Sequence, residues 1–90
     1  MTVTRTLPIV NEKGLHARAS AKFAEVCERF EARARVEKDG VDATGDSIMG
    51  LLMLGAARGS EIEVTTDGAD EAALMDALEA LVADRFGEPM

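Results

Sequence analysis

The sequence predicts a two-layer α+β fold, in which three helices lie on one side of a mainly antiparallel sheet of four strands. Two observations predict this class. Four segments alternate polar and apolar residues with a period of two, which is typical of strands with one buried face. Three other segments repeat apolar residues at helical spacing. All connections are short and no internal repeat is visible, so residues 1–90 are expected to form one domain of order β-α-β-β-α-β-α.

The first strand is predicted over 2–10, where polar and apolar residues alternate. Pro8 favours an edge position or a strand end, since proline has no N–H to donate to a ladder. The apolar spacing then becomes helical from about His16 to about Arg29. Two adjacent stripes of this helix are expected to face the core, one formed by Ala17, Ala21 and Ala24 and the other by Phe23, Cys27 and Phe30.

Three further strands are predicted in the rest of the chain. Residues 32–38 and 41–44 flank Asp39-Gly40, which is a favoured two-residue hairpin turn. Residues 61–66 alternate again and form the fourth strand. The two middle strands are therefore expected to pair as a hairpin.

Two further helices follow from capping residues and apolar spacing. Ser47 is a good N-cap for a short helix that Gly55 ends. Asp67 or Asp70 can cap the last helix, whose acidic start suits the helix dipole. The expected core positions of this last helix are Leu74 or Met75, Leu78, Leu81 with Val82, and Phe86.

Composition excludes several classes of function. Ten Lys and Arg against seventeen Asp and Glu give a net charge of −7, and there is no Trp or Tyr, so nucleic acid is not an expected partner. The single cysteine, Cys27, offers neither a disulfide framework nor a metal cluster. The first ten residues already have a strand pattern, so no signal peptide is expected, and the apolar stretch 48–57 is too short to span a bilayer. A cytoplasmic protein without a membrane partner is expected.

The only histidine, His16, stands at the predicted start of the first helix. Gly14 permits a tight bend before it, and the first-turn N–H groups from Ala17 onward lack intrahelical acceptors, so they can bind a phosphate. Gly14 and Ala17 are the expected phosphate-binding residues. The positive end of the helix dipole disfavours imidazolium and keeps more of the ring neutral and nucleophilic. Arg18 has a planar fork suited to phosphate oxygens. This group predicts a phosphate-carrying histidine; the alternatives are a capping or solvated histidine and a solvated arginine.

GLHAR at 14–18 followed by DSIMGLLMLGA at 46–56 resembles HPr, the histidine-containing phosphocarrier family of the bacterial phosphoenolpyruvate-dependent phosphotransferase system. The likeness covers essentially the whole chain, including the element order. It implies the fold of that family, an open-faced β-sandwich with four antiparallel strands and three helices on one face. It implies that His16 accepts a phosphoryl group on Nδ1 from phosphorylated enzyme I and passes it to a IIA-type acceptor, with Arg18 stabilising the phosphate. It also implies a monomeric carrier with a covalent phosphohistidine, rather than a stand-alone catalyst, and without a metal or cofactor.

Ser47 has a structural and a regulatory interpretation. As an N-cap it needs no further role. In many members of the resembled family the matching serine is phosphorylated by the ATP-dependent HPr kinase/phosphorylase, which implies Ser47 as a regulatory site. A phosphate there is compatible with a helix N-terminus and would change the charge of the docking surface. Asp46 departs from the basic residue that many relatives carry next to this serine.

The short helix over 48–54 is apolar almost all round, and only one stripe of it can face the sheet. By spacing, Leu51 and Leu54 are expected in the core. The other apolar side chains of this helix should stay partly exposed, where adaptable methionine side chains suit several partners in turn. The alternative is a core helix covered by its neighbours. The expected docking residues are Ile48, Met49, Leu52 and Met53.

A second departure from the family pattern and two other functions complete the interpretation. Ala19 stands where most sugar-branch members of the family have proline, and HARAS is similar to the motif of carriers from the nitrogen-related branch. A regulatory binding module of the same fold, acting mainly through Ser47 phosphorylation and partner docking, is the alternative function. A small metal-handling or ligand-sensing domain is disfavoured, because there is no CxxC and no second histidine.

Overall fold

The computed structural model describes residues 1–90. Four strands are present: β1 (Thr2–Pro8), β2 (Arg33–Lys38), β3 (Val41–Thr44) and β4 (Glu61–Asp67). They form one antiparallel sheet in the order β1-β4-β2-β3. Pro8 is the last residue of an edge strand, so the position inferred from its missing N–H is confirmed.

Three helices cover one face of this sheet: α1 (Ala17–Glu28), α2 (Ile48–Met53) and α3 (Glu71–Ala83). α3 packs against β1 and β4, α1 packs against α2 and α3, and α2 reaches β3. The predicted class, an open-faced sandwich with four antiparallel strands and three helices, is confirmed. No helix has the length and apolar character needed to cross a membrane.

The core lies between the helices and the inner face of the sheet. Its largest fully buried side chains come from every layer: Leu7, Ile9, Phe23, Val36, Leu51, Ile62, Val64, Leu74, Met75, Leu78, Val82 and Phe86. The outer face is polar, with Thr4 hydrogen-bonded to Thr65 and Arg35 paired with Asp42. The period of two therefore separates a buried and a solvated face, as it predicts. Burial raises the pKa of the Cys27 thiol to about 12, so this side chain is a protonated core residue.

The hairpin between β2 and β3 follows directly from its turn residues. Asp39 and Gly40 have φ of 51° and 83°, the left-handed pair that a tight two-residue turn requires. The pairing places Lys38 opposite Val41 immediately beside the turn. The predicted hairpin is therefore confirmed.

The predicted apolar stripe on α1 is wrong at its start. Ala17 is exposed and Ala21 is half-buried, whereas Ala24 is buried as expected. The first turn of α1 borders an open cleft instead of the sheet, so Ala17 has no core to enter. The buried residues of this helix are Ala19, Ser20, Phe23, Ala24, Val26 and Cys27.

The last helix also ends earlier than its apolar pattern suggests. The pattern extends to Phe86, but α3 ends at Ala83, and Arg85 and Phe86 both have left-handed φ, 56° and 55°. Phe86 is nevertheless fully buried, because the turn folds it back under the helix layer. At the other end Asp70 occupies the N-cap position, but its carboxylate accepts the N–H of Glu31 instead of capping α3.

Candidate functional site

The loop between β1 and α1 is held against the segment that follows α2. Gly14 is buried with φ of 66°, and a Cβ there would lie 2.5 Å from the carbonyl oxygen of Ala56. Its N–H donates to the carbonyl oxygen of Asn11 (3.2 Å), and the N–H of Leu15 donates to that of Ala56 (2.9 Å). Only glycine tolerates both the left-handed backbone and this close approach. The loop therefore delivers His16 to a fixed position.

His16 is the N-cap of α1. Its backbone is extended (φ −78°, ψ −176°), and its carbonyl oxygen accepts the N–H of Ser20 at 2.8 Å, which begins the helix. The ring caps the helix as well, because its Nδ1 accepts the backbone N–H of Arg18 at 3.3 Å. The side chain is 28% exposed. The imidazole is thus both fixed at the helix start and reachable from solvent.

The surroundings of Nδ1 are rich in donors that have no protein acceptor. The N–H groups of Ala17 and Ala19, in the first turn of α1, donate to no protein atom. Arg18 is exposed, and its guanidinium forms no ion pair or hydrogen bond. A helix N-terminus with free amides and an adjacent guanidinium is chemically suited to bind an anion.

The other ring nitrogen, Nε2, contacts a carboxylate that the sequence does not predict. Nε2 of His16 is hydrogen-bonded to Oε2 of Glu88, which lies 72 residues away in the chain. Oε1 of the same carboxylate accepts Nδ2 of Asn11 at 3.1 Å. The Glu88 side chain is 15% exposed. No local motif or spacing links these positions, so the sequence carries no signal that would have found the contact.

A cleft surrounds this histidine. We call it the His16 cleft, and its lining residues are Glu12, Lys13, His16, Ala17, Arg18, Glu88, Pro89 and Met90. Burial raises the pKa of Glu88, but the hydrogen bonds from His16 and Asn11 and the charge of Lys13 outweigh that effect, so the pKa lies below its ordinary value. The cleft therefore holds an ionised carboxylate on the Nε2 side of the ring at neutral pH.

The second predicted group of residues lies on α2. Ser47 is its N-cap, and the hydroxyl oxygen of Ser47 accepts the N–H of Gly50 at 3.0 Å. Leu51 and Leu54 are buried, as the spacing predicts. The remaining side chains form what we call the α2 face: Ile48, Met49, Leu52 and Met53.

The α2 face is a surface separate from the His16 cleft. Met49 and Met53 are 69% and 74% exposed, Ile48 is exposed and Leu52 is half-buried. None of these residues lines the cleft, but α2 packs against α1. The structure thus brings together His16, Ala17 and Arg18, and leaves Ser47 and the α2 face on the neighbouring helix.

The whole chain is similar to known phosphocarriers. The family model for the "PTS HPr component phosphorylation site" matches residues 3–84. The chain belongs to the HPr family. These proteins are phosphocarriers of the bacterial phosphotransferase system, as the relatives' names state and as the sequence resemblance implied.

Similarity to individual HPr-family members extends over nearly the full length. The phosphocarrier protein HPr of Neisseria meningitidis serogroup A is 49% identical over 84 residues, which are 93% of this chain and 94% of that protein. The phosphocarrier protein NPr of Escherichia coli K12 is 38% identical over 89 residues, 98% and 99% of the two chains. The crystal structure of HPr-C-His from Thermoanaerobacter tengcongensis superposes with a TM-score of 0.92 at 35% identity, covering 98% of this chain and 99% of that one.

Proposed function

We propose that this protein accepts a phosphoryl group on Nδ1 of His16 from phosphorylated enzyme I and passes it to a IIA-type acceptor protein. The observation that carries the proposal is the arrangement around Nδ1, which accepts an N–H from the first turn of α1, next to free first-turn amides and in a cleft that Arg18 also lines. In the proposed reaction the neutral imidazole is the nucleophile. The free amides, including that of Ala17, and Arg18 stabilise the added negative charge.

Gly14 supports this reaction through the shape of the loop. Because its own N–H already donates to Asn11, its contribution is the left-handed turn that places His16 at the helix start. The amide of Ala17 remains the first free donor of the helix. Of the two expected phosphate-binding residues, Gly14 therefore shapes the loop, and Ala17 offers its N–H directly to the phosphate.

The α2 face is the proposed docking surface for both protein partners. Its methionines are flexible and can repack against different surfaces, which suits a carrier that meets a donor and an acceptor in turn. Enzyme I and a IIA-type protein would approach this face while the His16 cleft meets the phosphorylated or accepting side chain. The proposed carrier acts as a monomer in the cytoplasm.

Phosphorylation by enzyme I tests the proposal directly. Radiolabelled phosphoenolpyruvate with enzyme I should place one acid-labile phosphate on the chain, and His16→Ala should abolish it. Arg18→Ala should slow labelling about tenfold or more, because one charged donor to the phosphate is lost. Label that persists in His16→Ala, or acid-stable label, would refute the phosphohistidine.

The acceptor class is decided by a second step of the same assay. Relatives named HPr and NPr both match over more than nine tenths of this chain. Phosphorylated protein should therefore be offered separately to IIA proteins of the sugar and of the nitrogen-related branch. Faster transfer to one of them assigns the branch, with the residue Ala19 as the sequence feature that favours the nitrogen-related one.

A regulatory role through Ser47 is the second candidate function. It is favoured by the place of Ser47 at the start of α2, directly before the exposed α2 face, where an added phosphate would change the charge of the docking surface. HPr kinase/phosphorylase with ATP should then label the wild-type chain but not Ser47→Ala. Asp46 adds a negative charge beside the serine, and Asp46→Lys should raise the labelling rate.

A further inference from the structure

The C-terminal tail, residues 84–90, is fastened across the start of α1 at two points on either side of Glu88. The fully buried ring of Phe86 anchors it, and Nζ of Lys22 donates to the Phe86 carbonyl oxygen at 2.6 Å. Beyond Glu88, the N–H of Glu12 donates to the carbonyl oxygen of Met90 at 3.1 Å. The tail is therefore held against both α1 and the loop that precedes it, and the position of Glu88 follows from these anchors.

Both oxygens of the Glu88 carboxylate are used. Oε1 accepts Nδ2 of Asn11, and Oε2 is hydrogen-bonded to Nε2 of His16. Asn11 is itself fully buried and also donates to the carbonyl oxygen of Gly14 at 2.8 Å. The carboxylate is thus oriented by a buried amide that belongs to the same loop as the histidine.

The two partners of the imidazole define its tautomer. A backbone N–H can only donate, so Nδ1, which accepts the N–H of Arg18, carries a lone pair. A carboxylate can only accept, so Nε2, which faces Glu88, carries the proton. The contacts on both sides therefore favour the same form of the ring, with the nucleophilic lone pair on the nitrogen that faces the free amides.

We propose that Glu88 is a positioning residue for phosphoryl transfer, which holds the proton on Nε2 and thereby presents the lone pair of Nδ1 to the incoming phosphorus. This inference rests on the proposed function. When the Nδ1 lone pair forms the bond to phosphorus, the bond from phosphorus to the donor's leaving atom breaks, and that atom keeps the electron pair. The Nε2 proton stays in place, so the ring becomes a phosphoimidazolium whose positive charge faces the Glu88 carboxylate.

Glu88 thus acts twice, on the resting ring and on the product. In the resting protein its hydrogen bond fixes the tautomer and the ring orientation, as a carboxylate does for a histidine in a catalytic triad or a metal site. In the product its charge stabilises the cationic ring. The two effects together raise the rate at which the carrier is loaded.

Glu88→Gln and Asp84→Asn form the matched pair that tests this role. Both remove one negative charge from the same tail, but Asp84 is exposed and its side chain forms no hydrogen bond or ion pair. Glutamine keeps the size of Glu88 and offers only one acceptor oxygen where two donors approach. A cooperative unfolding transition in both variants, well above the assay temperature, would show that the protein remains folded.

Two measurements decide the outcome. In nitrogen-15 NMR spectra of the unphosphorylated protein above pH 7, the wild-type ring should be mainly the Nε2–H tautomer, and Glu88→Gln should shift population to Nδ1–H while Asp84→Asn does not. Loading by enzyme I should slow about tenfold or more in Glu88→Gln and stay within about twofold in Asp84→Asn. Glu88→Asp should restore part of the tautomer preference, because it retains a carboxylate.

The positioning role of Glu88 and the proposed function can fail independently of each other. Unchanged tautomers and loading rates in Glu88→Gln would overturn the positioning role, even with His16 phosphorylated normally in the wild-type chain. A wild-type chain that enzyme I cannot label would refute the proposed function instead. In that case the tautomer populations, which are measured without any donor, would still confirm or overturn the role of Glu88 toward the ring.

Discussion

The His16 cleft and the α2 face are neighbouring regions that are built in opposite ways. In the cleft, polar groups from the loop, from α1 and from the C-terminal tail are joined by hydrogen bonds across 72 residues of chain. The α2 face consists of exposed apolar side chains on one six-residue helix, and it carries no titratable group. The contrast indicates that the nucleophile is held rigidly, whereas the proposed docking surface stays adaptable.

Phe86→Ala should give the largest effect, because it removes a core side chain and also disturbs the His16 cleft. Removing a fully buried aromatic ring costs about 3–5 kcal/mol of unfolding free energy, and it also frees the tail that carries Glu88. Met49→Ala on the α2 face should change that free energy by only about 0.5 kcal/mol or less, since Met49 is 69% exposed. Urea unfolding of both variants measures the two values. Similar costs would show that the two regions do not differ as described.

Gly14→Ala and Gly55→Ala compare how strictly the backbone is constrained in the loop before α1 and at the end of α2. Both glycines have left-handed φ, 66° and 62°, but a Cβ at Gly14 meets the Ala56 carbonyl oxygen at 2.5 Å, whereas a Cβ at Gly55 meets nothing within 4 Å. Gly55→Ala should cost about 1–2 kcal/mol for its backbone conformation alone. Gly14→Ala should cost at least about 1 kcal/mol more. Chemical denaturation measures the loss of unfolding free energy in both variants. Equal losses would mean that the loop moves away from the added Cβ at no cost.

Met49→Asp should separate docking from folding. An exposed substitution leaves the unfolding free energy within about 0.5 kcal/mol. A charge in the centre of an apolar contact surface should nevertheless slow phosphoryl transfer between this chain and its protein partners by about tenfold. Ala72→Asp, at an exposed position of α3, is the control and should transfer at the wild-type rate. If both variants transfer alike, the α2 face is not the docking surface.

Acid should produce the smallest effect, and of the two regions it should act on the cleft, because the α2 face has no titratable group. The pKa of Glu88 is lowered in the folded protein, so its contacts contribute stability above the ordinary value of 4.5, and that contribution is lost as the pH falls through the lower folded value. The difference in unfolding free energy between wild type and Glu88→Gln should therefore be largest at pH 7 and shrink at pH 3. A difference that is constant with pH would contradict this linkage.

Most of the fold could be predicted because its signals are local. Alternation, helical spacing and the Asp39-Gly40 turn each act over a few residues, and all four strands and three helices are confirmed within two or three residues. Errors arose where the end of an element depends on distant packing. Ala17 lies at the rim of a cleft, and Phe86 reaches the core through a left-handed turn that helical propensity does not predict.

The same distinction between local signals and distant packing applies to the candidate site. His16, Arg18 and Ala17 belong to one short motif, and their proximity follows from the start of a helix. The α2 face could be anticipated because a helix that is apolar all round cannot bury every side. Glu88 could not be anticipated, since its contact with His16 depends on how the tail leaves α3 and where Phe86 is buried.

The sequence by itself determined the order of elements, the inner and outer faces of the sheet, and the presence of a histidine at a helix N-terminus, because each of these follows from near neighbours in the chain. Only the tertiary structure decided which carboxylate meets the Nε2 atom of His16. That choice is made when the core closes over Phe86 and carries the last residues back across the start of α1. Long-range burial, and not local propensity, therefore places the carboxylate that faces the imidazole.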